Sequence, residues 1–291
     1  MRTLFLIFAL LLAPGAAFAA TLVVTTTADS GPGSLRQLVS NAADGDEIVF
    51  APAIHGQTIT LTSQILVRRI LTVAGPGQDL ITISGGGTTR IFDVNTFGGD
   101  LTLRSLRLTN GFQEDTPTAV FGGGLVLNQG TLTIESCRLD SSEGSRGGAI
   151  YNLEGRVEIR GSLIEGNTAT IAGGAVNTRL GTLIMENTTV RNNMSTGPSG
   201  PTLTGGGGVS VETNSSSSDI VVITTSLFEG NSSASGGGAF LRGQGGTNVP
   251  LIVNSTFSGN SAVTFGGAIF ALRDVEIAST TIVGNSSADN G

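Results

Sequence analysis

Lysine is missing from the 291-residue chain; all fifteen basic residues are arginine. That absence excludes the P-loop lysine of nucleotide hydrolases and mechanisms built on a lysine Schiff base. Tryptophan is missing too, and tyrosine occurs once, as Tyr151, so flat platforms for stacking sugar rings are scarce. The lone cysteine, Cys137, excludes an internal disulfide and reads as a small core residue on a strand. The lone histidine, His55, sits in the loop Pro52-Ala-Ile-His-Gly56, far along the chain from most carboxylates. A surface loop residue is the expected role for it, not a catalytic base. The net charge of −7 argues against nucleic acid and anionic membrane surfaces as partners.

Glycine, by contrast, is abundant, with 44 residues, yet 39% of the chain is apolar and falls in periodic columns, so disorder is not implied. Gly-Gly followed by a small residue recurs from Gly122, Gly147, Gly173, Gly206, Gly236 and Gly266, at intervals of 25, 26, 33, 30 and 30 residues. A β-branched or aromatic residue three places before Asn recurs as Ile164/Asn167, Val190/Asn193, Phe228/Asn231, Phe257/Asn260 and Ile282/Asn285. A period of this length marks a solenoid, whose repeats bury their apolar face only by stacking.

Three apolar columns give the strand directions. One follows the glycine triplet: Leu125, Ile150, Val176, Val209, Phe240 and Ile269. A second runs Leu103, Ile134, Ile159, Met185, Ile223, Ile252 and Ile277, and a third runs from Leu108 and Leu139 through Ile164 to Ile282. Polar residues alternate between them, as in half-buried strands. Such short strands suit one coil of an all-β, right-handed parallel β-helix of roughly eight or nine coils, a rod on the order of 40 Å long. Glycine pairs supply tight corners, and the Asn column suits turns that need left-handed backbone or a ladder of stacked amides.

The first residues read differently. Arg2, the apolar run Leu4 to Leu12 and Ala17-Phe18-Ala19 make a signal peptide over residues 1–19, too short to span a bilayer. Residues 20–50 read as a cap: a strand at Thr21–Thr27, a helix opened by Ser34 with Gln37 three residues on, and a strand at Glu47–Phe50. Leu35, Leu38 and Val39 share a face of that helix. The β-helix then takes residues 51–291, and the final motif from Ile282 stops where another glycine triplet is expected, which predicts continuation beyond Gly291.

Two stretches carry a resemblance. Asp29-Ser-Gly-Pro-Gly-Ser-Leu-Arg36 with Asn41-Ala-Ala-Asp-Gly-Asp-Glu-Ile-Val-Phe50 resembles the N-terminal module of exported bacterial β-helix proteins of the CSLREA-domain group, without its cysteine. Phe257-Ser-Gly-Asn-Ser-Ala with Gly266-Gly-Ala-Ile resembles the FxxN and GGAI repeats of polymorphic outer-membrane proteins. The resemblance implies a secreted or surface-displayed bacterial β-helix, often a passenger, an adhesin or a protein of unknown role; the expected function is a non-catalytic passenger or adhesin that touches a cell-surface glycan or protein.

Chemistry is sparse. Glu135, Glu158, Glu165, Glu186, Glu229 and Glu276 are interspersed with arginines, and a solvated strand face explains them better than a pair of catalytic carboxylates does. Asp44, Asp46 and Glu47 form a small acidic cluster with room for calcium but without EF-hand or nonapeptide spacing. Asn-x-Ser/Thr triplets at Asn187, Asn193, Asn214, Asn231, Asn254 and Asn285 read as turn chemistry, not glycosylation. No catalytic, cofactor or metal residue is therefore assigned. The alternative class is a lyase or hydrolase of acidic polysaccharide. Longer coils carry inserts at Phe112–Val120, Met194–Thr204, Glu212–Asp219 and Arg242–Val249, which are expected to be lateral loops that present contacts.

Overall fold

A computed structural model describes residues 19–113, 122–197, 205–214, 219–243 and 248–289. The signal-peptide reading of residues 1–19 falls almost wholly outside these residues, as do the centres of all four inserts. The described chain coils into a parallel β-helix, and the apolar columns explain why. Each coil lays its strands beside those of the preceding coil, so every paired strand is parallel. One coil, from Thr131, visits four sheets in turn: Thr131–Glu135 in sheet I, Arg138–Asp140 in sheet II, Glu143–Arg146 in sheet III and Ile150–Leu153 in sheet IV. Among the described residues the four sheets hold ten, nine, seven and eight strands.

The second and third columns are in register throughout: Ile134 pairs with Leu103 and Ile159, and Leu139 with Leu108 and Ile164. Their members are sealed from solvent up to Ile252 and Phe257. Full burial of each such side chain contributes about 1.5–3 kcal/mol. The stacking even carries aromatics, with the rings of Phe228 and Phe257 4.6 Å apart and nearly parallel.

The first column is corrected at two positions. Val126, not Leu125, aligns with Ile150, and Ala239, not Phe240, aligns with Val209 and Ile269. Three consecutive glycines precede both strands, which leaves the start of the triplet ambiguous by one residue, and a one-residue slip reverses a strand's faces. The positive-φ glycines resolve it: Gly123, Gly147, Gly173, Gly206, Gly236 and Gly266. The residue after each is held small for a second reason. A Cβ on Gly174, for example, would collide with the Gly207 carbonyl oxygen of the next coil.

Sheet III is an addition to the three expected columns. Its inward residues are small: Gly144, Ala169 and Ser195 in one run, Ser233, Ala262 and Ser287 in another. The Asn column is also reassigned. Left-handed backbone lies one residue earlier, at Asn110, Ser141, Gly166, Asn192, Gly230, Gly259 and Gly284. The asparagines themselves point inward and form a ladder. Nδ2 of Asn167 donates to Oδ1 of Asn193 at 2.9 Å, and the pattern repeats to Asn231, Asn260 and Asn285 at 3.0, 2.9 and 2.8 Å. Each Oδ1 also accepts the backbone N–H of the asparagine before it. Ser142 begins the ladder, its Oγ donating to Asn167 Oδ1 at 2.6 Å. A parallel seam of hydroxyls lies at the previous corner, where the backbone N–H groups of Cys137, Thr188 and Ser226 donate to Ser162, Ser226 and Ser255.

At the N-terminal end, Thr21–Val24 pairs with Asp46–Phe50 as the outermost strands of sheet I. Between them the helix Leu35–Asn41 buries Leu35 and Val39 in the core, and Leu38 packs against it partly exposed. Ser34 caps the helix by accepting from Gln37 N–H, while Gln37 reaches back to accept from Gly33 N–H, one residue before the cap, a variant of the capping box.

Candidate functional site

The four inserts gather around one sheet. Residues 114–121 and 198–204 lie between strands of sheets III and IV, and residues 215–218 and 244–247 between strands of sheets IV and I. Sheet IV is thus flanked by two inserts on each edge. Its outward row runs Leu66, Asp93, Leu127, Tyr151, Asn177, Ser210, Phe240 and Phe270 in unbroken register. Outward residues of a half-buried sheet face water, yet Leu127 to Phe240 in this row are at most 5% exposed. Tyr151 is bonded to Arg179, and burial raises its phenol above the ordinary value.

The row is open at its two ends, in the first coils and at Phe270 in the last. Leu66 is 38% exposed, and a cleft of about 360 Å³ lies beside Asp93, lined by Gln64, Arg90, Gln113, Leu127 and Gln129. The Arg90 guanidinium, 3% exposed, donates to the Gly122 and Gly123 carbonyls at 2.9 Å and to Gln64 Oε1 at 3.2 Å, and stands 4.0 Å from Asp93. Burial pulls Arg90 down to about 10, with Asp93 opposing. Burial likewise raises the Asp93 carboxyl, against the pull of Arg90, Gln64 and Arg68. Asp93 Oδ2 accepts from Gln64 Nε2 at 3.0 Å, whereas its buried Oδ1 has no partner among the described residues. A second cleft, about 590 Å³, adjoins the first through Gln64 and is edged by Arg36, Arg68 and Arg69.

The model of the right-handed β-helix region matches residues 98–287, about two thirds of the chain. The chain belongs to the right-handed β-helix family. Among solved structures, the PL6 family alginate lyase AlyGC matches this β-helix protein at 16% identity with a TM-score of 0.43, over 95% of the present chain. The β-helix protein spans 41% of that structure's length. No curated protein matches its sequence.

The residues singled out from sequence have other duties within the β-helix. Asp46 accepts the backbone N–H groups of Ala20 and Ala43 at 2.7 and 2.8 Å, which lowers its pKa. Asp44 accepts from Ile70 N–H, and Glu47 pairs with Arg104 at 2.9 Å, so these carboxylates are engaged separately. His55 Nε2 lies 3.2 Å from the Phe50 carbonyl oxygen. Burial pushes the Cys137 thiol up to about 11, which suits an inert core residue.

Glu158, Glu165 and Glu186 stand on outer faces paired with arginine. Glu158 is held by Arg156 and Arg160, and they lower its pKa against the opposing effect of burial. Arg107, Asp140, Arg138, Glu165 and Arg191 form an alternating chain across sheet II with contacts of 2.7–2.8 Å. Each such partly exposed pair contributes about 0–1 kcal/mol. Sequence reasoning passed over Asp93 and Arg90, because a lone carboxylate on a short apolar strand carries no spacing signal.

Proposed function

We propose that this protein is a bacterial exported or surface-displayed contact protein, non-catalytic in the manner of passengers and adhesins, that meets its partner through the lateral inserts at the two corners of sheet IV. One observation carries the reading: all four inserts depart from the two corners that bound a single sheet. A rigid rod with variable segments confined to one side is a scaffold for presentation. The sequence resemblance to CSLREA-group and polymorphic outer-membrane repeats supports the same class, as does the signal-peptide pattern before Ala20. A glycoside hydrolase would need a second carboxylate facing Asp93, and the cleft beside it is lined by Gln64, Arg90, Gln113, Leu127 and Gln129 instead.

The reading is tested by shortening Met194–Thr204 and Glu212–Asp219 together. Loop-closure entropy changes by only tenths of a kcal/mol over such lengths, so the melting temperature is expected to hold. Binding of purified protein to its native cell surface is expected to disappear. Undiminished binding by the shortened protein would remove the inserts from the contact.

A further inference from the structure

Two arginines stand apart from the rest of this acidic chain. Arg68 and Arg69 lie between strands, at the corner where Ile65–Val67 of sheet IV passes into Ile70–Ala74 of sheet I. Both are exposed, and neither forms an ion pair among the described residues. Of the other described arginines, Arg36 lies in the helix, Arg90 is buried and Arg273 donates to the Asn248 carbonyl at 2.7 Å; the rest stand within strands. The segments 114–121, 198–204, 215–218 and 244–247 hold no basic residue, so the inserts offer nothing to an agent that reads arginine.

The corner can be drawn out locally. Ile65–Val67 is the outermost strand of sheet IV and pairs on one side only, with Phe92–Val94. On the other side the cleft of about 590 Å³ runs between the helix, at Arg36 and Ser40, and Leu66, Arg68 and Arg69. Proteases bind their substrates extended, so they cut where exposed backbone between elements can leave its neighbours. The peptide bond after Arg69 has a further property. Ile70 N–H donates to Asp44 Oδ1 at 3.0 Å, and the Arg69 carbonyl accepts from Asp100 N–H at 3.0 Å. Both partners come from other segments, the turn after the helix and the next coil.

We infer that Arg69–Ile70 is a processing site for an arginine-specific, trypsin-like serine protease, and that the cut leaves a two-chain rod whose new ends are held by Asp44 and Asp100. Hydrolysis adds one water across the bond. The hydroxyl goes to the Arg69 carbonyl carbon, the C–N bond breaks, and the Ile70 nitrogen takes the proton and becomes an ammonium at neutral pH. That ammonium faces a carboxylate to which its N–H is already bonded, and the new Arg69 carboxylate keeps the Asp100 N–H. Both contacts gain a charge, and charge-assisted hydrogen bonds are roughly twice as strong as neutral ones. The cap and first strands therefore stay seated although the chain is cut. The inference is independent of the contact reading, since it involves none of the inserts.

Brief digestion of the folded full chain with trypsin tests this, read by N-terminal sequencing, intact mass and gel filtration. The first new N-terminus is expected to be Ile70, and the two fragments are expected to elute together at the parent volume and to part only in urea. Arg68→Gln/Arg69→Gln is expected to survive at least tenfold longer than the parent. Asp44→Asn keeps an oxygen for the Ile70 N–H but no charge, so it is expected to melt with the parent before cutting and below it afterwards. Melting curves establish that each variant is folded; should the double variant fail to fold, the position of the first cut in the parent decides. A first cut at another arginine, fragments that separate on gel filtration, or a folded double variant cut as fast as the parent would overturn the inference. Nicked Asp44→Asn melting together with the nicked parent would overturn the part given to Asp44.

Discussion

At the scale of single residues, the asparagine ladder shows how far a column in a sequence can be trusted. The spacing of Asn167, Asn193, Asn231, Asn260 and Asn285 was legible, and so was stacking as one reason for it. Its main-chain role was not, because the left-handed corner belongs to the residue before. Both residue types favour Asn or Gly, so sequence alone does not divide the work between neighbours such as Asn192 and Asn193. Asn231 is fully buried, takes two donors from Asn193 and gives its own amide to the Val190 carbonyl and to Asn260. Asn231→Ala leaves two buried donors on Asn193 unmet, each costing about 1–3 kcal/mol. Urea unfolding should show a loss of at least 2 kcal/mol, whereas Ser232→Ala on the half-exposed neighbour stays within about 0.5 kcal/mol.

At the scale of elements, two of the three expected columns were read without error because large β-branched and aromatic residues announce an inward position. Sheet III went unread for the opposite reason. Its inward residues, Gly144, Ala169, Ser195, Ser233 and Ala262, are too small to stand out from turns. The candidate site was legible only as the position of the inserts; Arg90 and Asp93 are three residues apart, but their partners Gln64, Gly122 and Gly123 come from neighbouring coils brought together by stacking. The outermost strands of sheet I offer a pH test. Asp46 joins them by accepting from Ala20 while also bracing Ala43 at the end of the helix.

Its folded pKa lies below the unfolded value of 3.8, so the folded state binds the proton less readily. The stabilisation is therefore complete above about pH 4–5 and is lost as pH falls through the lowered folded value. Asp46→Asn should melt below the parent protein at neutral pH. The gap between the two should narrow on acidification below 3.8. A gap that widens in acid would show that the carboxylate is not what joins these strands.

At the scale of the whole molecule, contacts run between a residue and its equivalents one coil away, so the rod behaves as a sum of coils and interfaces. Removing residues 150–175 excises one complete coil and joins Ala149 to Val176. Ser142 then meets Asn193, and the ladder closes. The shortened protein is expected to fold as a monodisperse β-protein whose melting temperature falls by a few degrees, on the order of the loss of one interface. Circular dichroism and calorimetry check this; a molten or aggregated product would mean that individual coils carry irreplaceable contacts.

The ladder is also a one-way wire. From Ser142 onward every rung between ladder side chains is donated toward the later coil and every Oδ1 accepts from the earlier one, while each Nδ2 also donates to a main-chain carbonyl of the coil before. A coil that has just been laid down therefore holds unspent donors until its successor arrives with the oxygen that receives them. Closure advances in the order in which a chain is synthesised or threaded out of a cell, and each addition locks the turn behind it, not the one ahead. Damage inherits the same arrow. In Asn231→Ala the Asn193 amide loses its acceptor, while Asn260 still receives the backbone N–H of residue 231 and still donates to Asn285. Hydrogen exchange should therefore quicken on the upstream side of the lesion and leave the downstream side protected, so that a rod built from near-identical turns can tell its beginning from its end.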